Sequence, residues 1–140
     1  MRGEARGTRA ALILASLGLT LAMVACTAQP ATSRTVQLET LNDSGVTGSA
    51  VLTDLDDETT RVVVDVDPAG HPDMPAHIHP GTCLALVPQP LYFLDNVIDG
   101  HSETVVEVPL DELFTGELAL NLHFSSDDFG TYTACADLNP

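Results

Sequence analysis

Short runs in which apolar and polar residues alternate fill most of this 140-residue chain from residue 35 onward. In the run 60–67, Val62, Val64 and Val66 share one face, because successive side chains of a strand point to opposite sides. Turn-forming residues at 42–45 and 56–58 separate such runs. Short strands at this spacing predict an all-β fold, a Greek-key β-barrel or β-sandwich. The predicted strands cover residues 35–39, 48–55, 60–67, 77–83, 103–108, 117–124 and 131–138.

Two proline-containing segments are predicted to lie outside these strands. Residues 84–96 contain the run Val-Pro-Gln-Pro, and proline lacks the N–H group that a central strand must donate. We therefore expect a surface loop over the whole of 84–96. Pro72 and Pro75 likewise predict an open loop after the third strand. Residues 111–114 are expected to form a short helical turn at most.

The N-terminus has the features of a secretory signal. Three arginines precede a mostly apolar run at 10–25, which is short for a membrane-spanning helix. Residues 21–26, Leu-Ala-Met-Val-Ala-Cys, resemble a bacterial lipoprotein signal, in which Cys26 is lipidated and becomes the first mature residue. An ordinary signal peptide with an incidental cysteine is the alternative. We predict a signal peptide at 1–25, a polar tether at 26–33 and a β domain at 34–140, exported and anchored to the outer face of a bacterial membrane.

The predicted mature chain is strongly acidic. It keeps 19 of the 20 acidic residues but only Arg34 and Arg61 as fixed cations, and the sequence contains no lysine. Such a surface repels nucleic acid and anionic membranes and attracts cations. Acidity that simply keeps an exported domain soluble, or a salt-adapted source, would give the same composition. We expect a metal ion as a partner, no nucleic acid, and membrane contact only through the lipid anchor; the sequence identifies no protein partner.

Two further cysteines, Cys83 and Cys135, lie in the predicted β domain. In an exported protein such a pair predicts a disulfide. Closing so long a loop would stabilise the fold by roughly 4 kcal/mol on the chain-entropy model. That contribution matters in a small domain that has no tryptophan. The alternative is a pair of free thiols acting as soft metal ligands.

Three histidines are candidate metal ligands. His77 and His79 lie in one predicted strand, so their rings share a face and their backbones are about 7 Å apart. The alternate leucines of 118–122, and Phe124 after them, should face the core, which puts His123 on the opposite face. If the two strands lie close, three imidazoles can hold copper or zinc with one position open.

Each of these residues also has an interpretation without metal. A His-x-His pair is common in proteins that bind none, and His123 alone is more typical of a solvated or hydrogen-bonded ring. Asp127 is a candidate to orient a ligand imidazole, although it could equally belong to a turn before Gly130. His71 and His101 lie at predicted loops or turns, where we expect them to be solvated and uninvolved.

Three motifs, in chain order, resemble those of the Cu,Zn superoxide dismutase family. His-Ile-His at 77–79, followed by Cys83, is similar to the family's His-Val/Ile-His segment and its later disulfide cysteine. His-Phe-Ser-Ser-Asp-Asp-Phe-Gly at 123–130 is similar to the late segment in which the histidine binds copper and the first aspartate supports the site. Gly-Thr-Tyr-Thr-Ala-Cys at 130–135 resembles the closing segment with the second disulfide cysteine.

This resemblance covers much of residues 34–140 and implies a Greek-key β-barrel with a copper site. The implied copper ligands are His77, His79 and His123. Asp127 would support the site, and Cys83 and Cys135 would form the disulfide.

The sequence also departs from that family. The family's zinc loop should lie between Cys83 and Gly100, but residues 84–99 contain no histidine, so we expect no zinc site. The active-site arginine, three residues before the last cysteine, is Tyr132 here. Without that arginine, a domain this acidic does not guide an anionic substrate to a metal. Residues 76–79, Ala-His-Ile-His, also resemble a short segment of chordin-type extracellular domains.

Three hypotheses follow from these patterns. The first is an extracytoplasmic, lipid-anchored protein that binds or buffers copper through His77, His79 and His123. The second is a copper-only superoxide dismutase. The third is a metal-free chordin-type β-sandwich that acts in adhesion or as a structural module, but it leaves the late histidine and cysteine unexplained. The sequence leaves open whether the protein is an enzyme.

Overall fold

Nine β-strands and one short helix form between Ser33 and Asp137 in the computed structural model, which describes residues 31–140 and Gly3. The all-β prediction is therefore confirmed. The strands are β1 (Ser33–Thr40), β2 (Thr47–Asp56), β3 (Thr59–Asp67), β4 (Asp73–Thr82), β5 (Ala85–Leu86), β6 (Tyr92–Ile98), β7 (His101–Val106), β8 (Leu118–Ser125) and β9 (Asp128–Asp137), with helix α1 (Leu110–Leu113) between β7 and β8.

Eight of these strands form a closed antiparallel barrel. Around the barrel the order is β4-β6-β7-β3-β2-β1-β9-β8, and β8 pairs with β4 to close it. The strands β4, β6 and β7 are neighbours, and β8 returns past α1 to lie beside β4, which is a Greek-key connection. The two-residue strand β5 pairs with the end of β4. Closure leaves the barrel without a free strand edge.

Aliphatic side chains at alternate strand positions fill the barrel. Burial of each large one stabilises the fold by about 1.5–3 kcal/mol. The fully buried examples include Leu52, Val62, Val64, Ile78, Leu120 and Leu122. Because Ile78 faces inward, its neighbours His77 and His79 face the other side of the barrel wall. The core therefore fixes the direction of the two candidate ligands on β4.

The prediction of a surface loop over 84–96 is wrong in its second half. Residues Tyr92–Ile98 form β6, which pairs with β4 from Ile98 opposite Asp73 to Tyr92 opposite Ile78. The prolines of the segment precede β6 and leave its N–H groups available. Aromatic and β-branched residues in β6 favour a strand. The prolines therefore predict irregular structure correctly only between β5 and β6, at residues 87–91.

Pro75 lies within a strand rather than in an open loop, so that prediction is also wrong. β4 begins at Asp73, and its pairing with β6 shifts register between Met74 and Ala76. Such a β-bulge leaves one residue unpaired, and it tolerates a residue that has no N–H group to donate. The strand that carries His77 and His79 therefore starts four residues earlier than the sequence predicts.

Phe124 is not part of the core, although strand alternation predicts that it is. Its side chain is 46 % exposed. The β8–β9 pairing shifts register on both sides of His123, which breaks the alternation that holds for Leu120 and Leu122. Phe124 instead contacts the ring of His71, with 4.9 Å between the ring centroids.

The predicted lipidation site Cys26 lies outside the described residues, as do the signal peptide apart from Gly3 and the tether up to residue 30. The predicted start of the β domain, residue 34, falls one residue inside β1. Along residues 31–140, no helix is long and apolar enough to cross a membrane.

Candidate metal centre

His77, His79 and His123 meet where β4 pairs with β8, on the face of the barrel wall opposite the core. One ring nitrogen from each lies within 4.8 Å of the other two. The three residues are only 8 %, 1 % and 3 % exposed. The structure therefore confirms that the three predicted residues come together as a cluster able to hold a metal ion.

The register of β4 against β8 explains this meeting. His79 pairs with Ala119 and His77 with Asn121, so His123 is the next residue of β8 on the same face. Diagonal neighbours across such a pair lie about 7–8 Å apart between backbones, within reach of long side chains. The β-bulges beside His123 re-aim its ring relative to a regular strand.

Backbone carbonyls hold two of the rings in one orientation. His79 Nδ1 lies 2.8 Å from the carbonyl oxygen of Val87, and His123 Nδ1 lies 2.8 Å from that of Phe129. A carbonyl oxygen only accepts, so each Nδ1 carries the proton and each Nε2 presents a lone pair. Metal-binding histidines are commonly held in this way through their second nitrogen.

The remaining nitrogens converge as a metal site requires. His79 Nε2 is buried and has no hydrogen-bond partner in the part of the chain that the structure describes. His77 Nδ1 lies 2.8 Å from His123 Nε2, to which it donates, because that nitrogen has a free lone pair. A tetrahedral metal bound at about 2.0–2.1 Å separates two such nitrogens by about 3.3 Å. A small opening of the His77–His123 contact, with the His77 proton carried on Nε2 instead of Nδ1, therefore makes room for an ion.

Burial favours the neutral form of His77 and His123, which is the form that binds metal. The pKa of His77 is lowered from 6.5 to about 4, first by burial and then by the neighbouring rings of His123 and His79. Burial also lowers the pKa of His123, although the Phe129 carbonyl and Asp128 act in the opposite direction. Proton competition with a metal is thus weaker here than at an exposed histidine.

The metal-free protein is expected to lose stability as the pH falls from about 6.5 to about 4. In this window the unfolded chain binds a proton at residue 77 that the folded protein does not, so the free energy of unfolding decreases. We expect the melting temperature of the metal-free protein to fall by at least about 5 °C across the window. His77→Gln, which cannot titrate, should show a shallower decrease. Equal pH profiles for the two proteins would contradict the prediction.

A pocket of about 650 Å³ opens in front of the three histidines, all of which line it. The centroid of the Phe93 ring lies 5.0 Å from that of His77, and the Phe129 ring is stacked with the His77 ring at 5.9 Å. Tyr132 lies 5.1 Å from His123. A cavity of about 750 Å³ runs along β1 and the disulfide, but none of the three histidines lines it. The candidate metal site therefore lies in the pocket of about 650 Å³.

The sequence matches no protein-family model, no curated protein and no solved structure. The resemblance to Cu,Zn superoxide dismutases therefore remains a prediction from three short motifs.

The predicted disulfide is present. The Cα atoms of Cys83 and Cys135 are 5.8 Å apart and their sulfurs are bonded, which excludes the free-thiol alternative in this structure. Cys83 also donates its N–H to Asp137 Oδ1 at 2.7 Å. These two links tie the end of β4 to β9, close to the segment that supplies the Val87 carbonyl.

The other predicted residues lie apart from the three ring nitrogens. Asp127 is in the β8–β9 turn, where its N–H donates to Ser125 Oγ, and the Phe129 carbonyl holds the His123 ring instead. His101 forms an exposed pair with Asp65, 2.7 Å between Nδ1 and Oδ1. Neither His101 nor His71 belongs to the metal-binding group.

Sequence reasoning missed three groups at the site. The carbonyls of Val87 and Phe129 carry no residue-specific pattern, so only the folded backbone reveals them. Asn121 lies on the predicted histidine face, directly opposite His77, and is fully buried. Neither atom of its amide has a hydrogen-bond partner among the described residues. The sequence signal for Asn121 is a polar amide residue within the leucine-rich strand segment 118–122.

Proposed function

We propose that this protein binds one copper ion through His77 Nδ1, His79 Nε2 and His123 Nε2, and that it holds or buffers copper. The observation that carries the proposal is the convergence of one ring nitrogen from each of three histidines, two of which are oriented by backbone carbonyls. Imidazole nitrogens suit copper and zinc, and three ligands leave a position open. Copper is favoured over zinc by the resemblance of residues 77–79 and 123–130 to copper-site motifs.

Copper binding or buffering is favoured over catalysis by the charges around the pocket. Of the described cations, Arg34 pairs with Asp111 at 3.2 Å and Arg61 lies 3.9 Å from Glu103, and neither lines the pocket. An acidic protein that has no cationic side chain beside the metal does not guide superoxide, an anion, toward it. A copper-only dismutase is the second candidate, because the pocket gives a small molecule access to the three histidines.

Titration with copper in competition with a chelator tests the proposal. The unmodified protein should bind one equivalent, measured by calorimetry and elemental analysis. His79→Ala removes one of three ligands and should weaken binding by at least about 100-fold, beyond the loss typical of a supporting residue. His101→Ala is the matched control, since His101 lies in an exposed pair with Asp65, and it should bind like the unmodified protein. Failure of the unmodified protein to bind copper would favour the metal-free module.

A superoxide assay on the copper-loaded protein separates binding from catalysis. We expect dismutation no faster than that of the copper-loaded His123→Ala variant. A rate well above that of the variant would favour the dismutase.

The proposal includes export and lipid anchoring at Cys26, which rest on the sequence of residues 21–26 alone. Labelled palmitate should be incorporated by the full chain in a bacterial host, and Cys26→Ala should abolish the incorporation. Equal labelling of both proteins would contradict the anchor.

A further inference from the structure

The pocket in front of the histidines is larger than a metal ion and a diatomic molecule need. Its volume of about 650 Å³ lies in the range of about 300–1,000 Å³ that is usual for organic ligands. The three histidines occupy one part of its wall. The rest of the volume can therefore hold a molecule that reaches the metal.

Aromatic and proline side chains form much of the remaining wall. Phe93 and Phe129 both line the pocket, yet their side chains are 64 % and 49 % exposed. Pro88 and Pro90 belong to the same wall. Such exposed apolar side chains bind a flat apolar molecule favourably, because the contact buries apolar area and allows the rings to stack. The wall thus favours a planar molecule.

The charges of the pocket favour a neutral molecule. Among the described residues that line it, none is lysine or arginine, and its polar side chains besides the histidines include Asn96 and Ser126. Asp127, in the β8–β9 turn, and Asp128, the first residue of β9, lie between the pocket residues Ser126 and Phe129. Away from the metal, a negatively charged group therefore meets no cationic side chain in the pocket and two carboxylates beside it, whereas copper bound to the histidines would repel a cationic ligand.

We propose that the pocket binds a neutral, planar aromatic molecule whose ring nitrogen completes the coordination of the bound copper. This inference rests on the proposed copper site, because the donor nitrogen needs the ion. Packing against Phe93 and Phe129 selects a planar ring, and the bond from the ring nitrogen to the copper ion holds the molecule in place. Nitrogen is the donor type that matches the three imidazoles already at the site.

Three related probes test the chemistry of the pocket. Imidazole offers the donor alone, 4-phenylimidazole adds a neutral ring, and 4-(imidazol-4-yl)benzoate adds a negative charge to that ring. Each is titrated into the copper(II)-loaded protein at about pH 8, above the ordinary imidazole pKa. Electron paramagnetic resonance reports the new nitrogen ligand, and calorimetry gives the affinity. We expect 4-phenylimidazole to bind about tenfold more tightly than imidazole, and the benzoate to lose that gain.

Variants assign the gain to the pocket wall. Phe93→Ala should remove most of the gain from the phenyl ring, measured as the ratio of the 4-phenylimidazole affinity to the imidazole affinity of that same variant. Phe124→Ala is the matched control, because Phe124 is an exposed phenylalanine that does not line the pocket. It should bind all three probes like the unmodified protein.

The outcomes separate this inference from the proposed function. If copper binds but imidazole and 4-phenylimidazole have equal affinities, the copper site stands and the aromatic pocket is wrong. If the benzoate binds as tightly as 4-phenylimidazole, the selectivity for a neutral ligand is wrong. If the unmodified protein binds no copper, both proposals fail.

Discussion

Replacing both Cys83 and Cys135 with alanine is expected to lower the free energy of unfolding by about 4 kcal/mol. The disulfide joins residues 52 positions apart, so its loss gives the unfolded chain many more conformations. Urea unfolding followed by circular dichroism measures the difference. The slope of the free energy with urea should also rise, since the unfolded chain without the cross-link exposes more surface.

The same double variant is expected to bind copper at least about tenfold more weakly. Cys83 begins the segment that supplies the Val87 carbonyl, and that carbonyl orients the ring of His79. Without the bond to β9, the segment is held mainly by backbone contacts such as Val87 N–H to the Pro80 carbonyl, at 2.8 Å. His79 then loses part of its fixed orientation.

Reduction of the unmodified protein provides the control for the cysteine substitutions. The reduced protein should unfold at the same urea concentration as the double variant, because both lack the cross-link. If the oxidised protein and the double variant unfold together, the cross-link contributes nothing to stability. If only the double variant is destabilised, the cause is the loss of packing at the buried Cys135.

The sequence predicts much of the barrel because alternation depends only on neighbouring residues. Val62, Val64 and Leu120 are buried as the pattern indicates. Alternation fails at Phe124, which is exposed and lies next to the register shifts on both sides of His123. A bulge depends on the pairing of two strands distant in sequence, and the pattern within one strand does not reveal it. The same limit explains why Pro75 lies in β4.

The same distinction applies to the candidate site. Its side-chain ligands can be predicted from the sequence, but the backbone groups that orient them cannot. His77, His79 and His123 are recognisable from their residue type and the face that they occupy. The partner of the His123 ring is not, since the sequence suggests the carboxylate of Asp127 and the structure supplies the carbonyl of Phe129. Every residue has a carbonyl, so only the path of the folded chain determines which one reaches the ring.

Gly81→Ala is expected to disturb both the fold and the copper site. Gly81 has φ +98°, and a Cβ atom there would collide with the carbonyl oxygen of Ala85. Only glycine lets β5 approach β4 at this point, where Gly81 pairs with Leu86. Strain of this kind costs about 1–3 kcal/mol, and the collision adds to it, so we expect a loss of about 2–4 kcal/mol in the free energy of unfolding.

The effect of Gly81→Ala on copper follows from the chain path. β5 leads directly to Val87, whose carbonyl oxygen accepts a hydrogen bond from His79 Nδ1 at 2.8 Å. A shift of β5 away from β4 moves that carbonyl and frees the His79 ring to rotate. We expect copper affinity to fall by about tenfold or more, in the range usual for loss of a group that supports a ligand.

Gly70→Ala is the matched control for Gly81→Ala. Gly70 has φ +91°, but a Cβ atom there would meet nothing within 4 Å. It should therefore lose only the cost of the backbone conformation, about 1–2 kcal/mol, and keep the copper affinity of the unmodified protein. The difference between the two variants isolates the contact of β5 with β4. If they lose equal stability and bind copper equally well, that contact does not position the Val87 carbonyl, and the His79 ring must be held by its own packing.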